Sequence, residues 1–226
     1  MLIDYYLLGL TGVLLYEGLN KLTDKIAETN KPKITPTTLV LGYNIKNKKI
    51  PITLETTQFP SLSISGITNS GKSRMVHYLL LNTSMDIVLV NSYSEDYKEV
   101  KCKRISLDDT ESFLDACLNG EVKDKLIVFD ECLTIINNKN CAKKLHTLLT
   151  KNRHMNLIVL CIFQELNKTI VPFKSLFSAR LTMRMLQASD VASSLGTTIE
   201  GYKALKNREF ILLSDDIYYG KTYDVK

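Results

Sequence analysis

No two of the five cysteines in this chain form a C-x-x-C unit, and His77, His146 and His154 share no metal-ligand spacing. A zinc ribbon or a dithiol redox site has no material here. The cysteine count is odd, and three of the thiols sit in apolar runs. That pattern argues against a disulfide frame and for a reduced, intracellular protein with structural thiols. Internal repeats and low-complexity tracts are missing as well, which excludes a stacked-repeat array. Nor does any apolar run reach the roughly 20 residues a membrane-spanning helix needs. The longest candidate, Tyr5 to Tyr16, is shorter, and no small-residue cleavage site follows it, so a secretory signal is disfavoured.

That segment leaves three readings open: a short membrane anchor, an interfacial helix, or a helix packed on a neighbouring subunit. Any membrane contact would run through residues 2–20. Lys21 and Lys25 beyond it would then place the rest of the chain in the cytoplasm. An apolar helix over residues 1–27 is therefore expected, followed by a polar linker over 28–37 that contains Pro32 and Pro36. The main domain is expected over 38–226. With 45% apolar and 23% charged residues, the 226-residue chain has the composition of a folded protein with room for one α/β domain. Its net charge of +5 is compatible with a polyanionic partner without requiring one.

The most informative stretch starts as a buried strand, Ser61 to Ser65, and runs into Gly66-Ile67-Thr68-Asn69-Ser70-Gly71-Lys72-Ser73 before a helix from Lys72 to about Asn82. This fits G-x-x-x-x-G-K-[ST]. Inward-facing backbone N–H groups with a helix N-terminus behind them cradle phosphate oxygens. Glycine lets the backbone come close and take positive φ. Lys72 would reach the β- and γ-phosphates, and the Ser73 hydroxyl would ligate Mg²⁺. A Gly/Ser turn carrying a surface lysine is the plainer alternative. The strand before and the amphipathic helix after it supply the context that alternative lacks.

Leu126 to Phe129 is an apolar strand that ends in Asp130-Glu131, the Walker B form. Asp130 would hold Mg²⁺ through a water, and Glu131 would orient and deprotonate the attacking water. No guanine-reading Asn/Thr-Lys-x-Asp motif occurs, so ATP is preferred to GTP. The buried run Asn156 to Gln164 ends in a polar amide, placed to touch a γ-phosphate or its attacking water. Around these anchors the expected order is a hairpin (38–43 and 50–54), strands at 86–91 and 103–106, a helix at 110–118, a strand at 180–185, and a closing edge hairpin (208–213 and 218–223). Alternation of strand and helix predicts an α/β fold with a mainly parallel central sheet flanked by helices.

Taken together these strings resemble the FtsK/SpoIIIE-like translocases of the FtsK–HerA class. The likeness covers roughly residues 38–215: Leu41-Gly42-Tyr43 to Ile50-Pro51-Ile52, Phe59-Pro60 into the phosphate loop, Lys151-Asn152-Arg153 running on to Gln164, and Arg180 with Asp190. The family histidine is Ser61 here, and a common loop glycine is Asn69. The resemblance implies a RecA-like P-loop ATPase core that uses ATP and Mg²⁺ and assembles as a ring, usually a hexamer, around double-stranded DNA. It further implies an arginine acting across the subunit boundary, for which Arg153 is the matching candidate and Arg180 the second. A winged-helix sequence reader and a multi-helix membrane domain are not expected. A small motor of viral genome packaging or mobile-element transfer fits the size, on the inner face of a membrane or at a virion vertex. Lys139, Lys143 and Lys144, and Lys98, Lys101, Lys103 and Arg104, are candidate phosphate contacts, with solvated helix faces as the alternative.

Overall fold

The computed structural model describes residues 32, 35–93, 95–167, 169–199 and 204–224. The apolar helix expected over 1–27 and most of the linker expected over 28–37 lie outside the described residues. Among the described residues, no helix is long and apolar enough to cross a membrane.

A single sheet contains β1 (Thr38–Asn44), β2 (Pro51–Glu55), β3 (Ser61–Ser65), β4 (Asp86–Val90), β5 (Lys103–Ile105), β6 (Lys125–Phe129), β7 (Leu157–Phe163), β8 (Ala179–Met183), β9 (Glu209–Leu213) and β10 (Ile217–Lys221). Among the described residues the α-helices are α1 (Lys72–Leu81), α2 (Thr110–Leu118), α3 (Cys132–Ile136), α4 (Lys139–Lys151) and α5 (Ala188–Leu195). Strand order is β2-β1-β10-β9-β8-β3-β7-β6-β4-β5. Pairing is parallel from β8 through β5 and antiparallel from β8 through β2. This is the mainly parallel α/β sheet expected from the sequence.

The apolar runs work because a strand sends alternate residues to opposite faces. Ile87 and Leu89 of β4, Leu126 and Val128 of β6, and Leu160 and Ile162 of β7 share a core with Met75, Val76, Leu79 and Leu80 of α1. Their in-between neighbours Val88, Val90, Ile127, Phe129, Val159 and Cys161 join a second core with α2, α3 and α4 on the other face. Strands covered on both sides need continuous apolar runs, and these have them.

The β9–β10 hairpin, expected at an edge, lies between β8 and β1. Phe210, Ile211 and Leu212 are all fully buried, so β9 has no wet face to present as an outer strand. The margin belongs to β2, whose burial alternates and whose Pro51 opens the strand, where a missing N–H costs no ladder bond. Ser61, at the family's histidine position, clasps β3 to the start of β8. Its N–H donates to Ser178 Oγ (3.0 Å), and the Ser178 N–H donates back to Ser61 Oγ (3.0 Å).

Candidate functional site

The carboxyl ends of β3, β6 and β7 converge, because these strands are parallel and adjacent in the order β3-β7-β6. Each delivers one part of the site. Beyond β3 the loop turns at Gly71 (φ 106°) into α1. A side chain at Gly66 would put its first carbon 2.7 Å from Ser70 Oγ, so the loop closes this tightly only on glycine. Asn69 stands where the family often has glycine and holds φ at 60°, a left-handed conformation that asparagine tolerates far better than most residues. The departure therefore leaves the loop's shape intact. The first turn of α1 carries no acidic residue to compete with an anion.

Lys72 Nζ donates to the Gly66 carbonyl (2.5 Å) and the Ile67 carbonyl (3.1 Å), so two of its three donors pin the ammonium across the loop. Burial pulls its pKa down, while the negative charges of Glu131 and Asp130 pull it partly back. Asp130 follows β6 and is 7% exposed. Its Oδ1 accepts the Glu131 N–H (3.0 Å), and Tyr97 donates its phenolic hydrogen to Oδ2 at a longer 3.4 Å. Burial holds the Asp130 carboxyl up at about 6, with the Glu131 and Asp96 charges pushing the same way and the two hydrogen bonds opposing. Glu131 adopts a left-handed backbone (φ 44°, ψ 50°), unfavourable for a residue with a Cβ, in capping α3. Gln164 Nε2 donates to its carboxylate, 3.3 Å from Oε2 and 3.5 Å from Oε1.

Thr68, Asn69, Lys72, Ser73, Asp130, Glu131 and Gln164 thus line a single cavity of about 490 Å³. A buried carboxylate and a hydroxyl are the hard oxygen donors that Mg²⁺ takes alongside phosphate oxygens and water. Asp130 and Ser73 fit that ion. Bound there, it would neutralise charge on the β- and γ-oxygens.

Asp130 carries a pH signature. Below about pH 4 the carboxyl is protonated in both folded and unfolded chains and contributes no pH dependence. Between pH 4 and 6 the unfolded chain releases a proton that the fold retains, so stability falls as pH rises, and the full cost remains above 6. Two pK units correspond to about 3 kcal/mol. Asp130→Asn in EDTA, without nucleotide, is therefore expected to raise stability by about 2–3 kcal/mol at pH 8 and by almost nothing at pH 4. Urea unfolding at the two pH values measures this, and a gain that does not change with pH would refute it.

Arg153 stands apart. Its turn precedes β7, at the opposite end of the sheet from Gln164, and its guanidinium donates to the Gln58 carbonyl (3.2 Å). At about 3.3 Å per strand residue, the length of β7 puts roughly 23 Å between it and the cavity of its own chain. Arg180 sits within β8, its guanidinium against Gly196, and burial lowers its pKa. Asp190 serves in the capping box of α5 with Gln187.

Three further residues meet the site, and of these only Asn91, which closes the apolar run of β4, carries a sequence signal. Tyr97 comes from the β4–β5 loop. Asn91 donates to the Asp130 carbonyl (3.3 Å). Arg208 lines the cavity, its N–H donates to the Ser70 carbonyl (2.9 Å), and its guanidinium is moored by Asp224 (2.6 Å) and the Thr222 carbonyl (2.8 Å).

Phosphate loop, Walker B acids and strand-end glutamine on this sheet define the P-loop NTPase fold. No description of a known protein family matches the chain, and no curated protein is recognisably similar in sequence. Solved structures are similar in fold. The pCW3 conjugation coupling protein TcpA, in its monomer form with ATPγS, superposes with a TM-score of 0.70 at 14% identity, over 85% of this chain and 70% of that one. The cytoplasmic domain of the Thermomonospora curvata type VII secretion ATPase EccC gives 0.67 at 17% identity, over 86% of this chain and 29% of that one. The genome packaging NTPase B204 of Sulfolobus turreted icosahedral virus 2, with ATPγS, gives 0.55 at 14% identity, over 74% of this chain and 98% of that one. These likenesses are of fold.

Proposed function

We propose that the chain is an ATP-driven motor that moves double-stranded DNA, working in a ring. The observation that carries the ATPase reading is the contact of Gln164 with Glu131 in the same cavity as Lys72, Ser73 and Asp130. In this reading the phosphate loop and Lys72 hold the triphosphate, with Mg²⁺ on Ser73 and Asp130. Glu131 takes a proton from the attacking water. Gln164 keeps the Glu131 carboxylate aimed at that water and lets strand β7 register the loss of the γ-phosphate. Arg153 is too far from its own chain's cavity to act there, so it serves a neighbouring subunit, where it would neutralise charge that builds in the transition state.

DNA contact falls to fewer residues than the basic clusters suggest. Lys144 is bound to Glu111 (3.0 Å) and Asp115 (2.7 Å) of α2, and Lys98 pairs with Glu95. Arg104 spends its donors on Ser92 and the carbonyls of Tyr93, Asp96 and Tyr97. Lys139 and Lys143, exposed at the start of α4, have no ion pair among the described residues and are the better candidates. Duplex DNA is expected to raise ATP turnover several-fold. Replacing both lysines by alanine should remove most of that stimulation, flatten the salt dependence of DNA binding by about two log units per log salt, and leave basal turnover unchanged. Turnover indifferent to duplex and single-stranded DNA alike overturns the motor reading.

The similarity to a secretion ATPase supports a second reading, in which the same hydrolysis acts on a protein partner. Indifference to DNA together with stimulation by a co-purifying protein would select it.

A further inference from the structure

We propose that Tyr97 is a positioning residue for the divalent cation: its buried phenol holds the Asp130 carboxylate in the orientation in which it would meet the ion. This rests on the reading that Mg²⁺ accompanies ATP at Ser73 and Asp130.

Tyr97 is 3% exposed and lies on the β4–β5 loop. Its O–H donates to Asp130 Oδ2 at 3.4 Å. A phenol has one hydrogen to give and lone pairs to receive. Donation to Oδ2 and the Glu131 N–H on Oδ1 fix both carboxylate oxygens, so the plane of the Asp130 carboxylate is set before any ion arrives. These are the roles that outer partners play around metal ligands, orienting groups that would otherwise rotate.

The backbone supports a functional placement. Tyr97 has φ 58°, a left-handed conformation that is an outlier for a bulky residue and is held only where the surroundings impose it. Here two neighbours do so. His77 of α1 meets the tyrosine ring edge-on, with centroids 5.9 Å apart. Arg104 of β5 donates to the Tyr97 carbonyl (3.1 Å) as well as to the Asp96 carbonyl (2.7 Å), Tyr93 carbonyl (3.0 Å) and Ser92 hydroxyl (2.9 Å). One guanidinium thus ties four residues of the loop behind the phenol.

The test is calorimetric titration of ATPγS into the full chain, in Mg²⁺ and again in EDTA, with Mn²⁺ spin resonance as a direct view of the ion. Tyr97→Phe keeps the ring and removes the hydroxyl. It is expected to cut the Mg²⁺-dependent gain in nucleotide affinity about 5- to 10-fold and to weaken Mn²⁺ binding in the nucleotide complex by a similar factor. Affinity in EDTA should stay within twofold. Arg104→Ala, on the surface, should lower the Mg²⁺-dependent gain in the same direction by about half as much, and it decides the matter if Tyr97→Phe does not fold. An undiminished Mg²⁺ gain in both variants, or an equal loss in EDTA, overturns the proposal. If the wild-type chain binds ATPγS equally well with and without Mg²⁺, the metal reading beneath it fails; if it binds in neither, the nucleotide reading fails.

Discussion

Glu131→Gln is expected to leave ATP bound while turnover falls by about 10²- to 10⁴-fold, the range a positioned general base supplies. The amide is nearly isosteric and tolerates the left-handed backbone at 131 no worse than the acid does, so α3 keeps its start. The charge change favours binding. Glu131 raises the proton affinity of the buried Asp130 carboxyl, and removing that negative charge makes Asp130 easier to ionise and better able to hold a cation. Retained binding with lost hydrolysis is the signature of a group needed only in the chemical step. Filter binding of labelled ATP beside steady-state phosphate release separates the two. Turnover within tenfold of wild type would mean that the base is another group.

The same variant tests the ring. Arg153→Ala subunits retain a complete cavity of their own but lack the arginine they would offer a neighbour. Mixed with Glu131→Gln subunits, some boundaries would pair an intact Glu131 with an intact Arg153, and a fraction of the lost turnover should return. No recovery at any mixing ratio would leave Arg153 as the tether of Gln58 that its own chain displays.

What could be seen beforehand follows chain distance. The phosphate loop is contiguous, so spacing alone located Gly66 through Ser73, and α1 ends within a residue of its expected limit. Asp130, Glu131 and Gln164 were legible because each closes a buried apolar run, and parallel neighbours must bring such ends together. Tyr97 and Arg208 were not. Each sits in a polar, irregular stretch and reaches the site through a loop whose course depends on partners elsewhere in the chain, such as Arg104 or Asp224. Lys144 shows the reverse error: in sequence it looks like one of three free lysines, yet its two acids lie on α2, brought near only by packing of α2 on α4. The hairpin β9–β10 could be read as a hairpin from its own residues, whereas its place between β8 and β1 is a matter of strand order that local pattern does not encode.

Lys72→Ala is expected to weaken ATP binding by about 10²-fold, since a charge-assisted hydrogen bond contributes about 1.5–3 kcal/mol and one ammonium donor is left over from the loop carbonyls. The folded chain should barely notice. The substitution removes a partly buried ammonium, whose desolvation opposes its own charge, and also frees the carbonyls of Gly66 and Ile67. These effects act in opposite directions, so the melting temperature should move by only a few degrees. Lys72→Arg provides the sharper comparison. It keeps the charge but replaces a compact ammonium with a planar fork, in a loop so close-set that even a Cβ at Gly66 would run into Ser70 and Met183. If charge alone held the nucleotide, arginine would restore binding. If the loop demands a point donor that fits between its own carbonyls and the phosphates, arginine fails nearly as badly as alanine, and that is the expected result. Binding by Lys72→Ala within threefold of wild type, measured by calorimetry at saturating Mg²⁺, would remove the phosphate loop from the account of this protein.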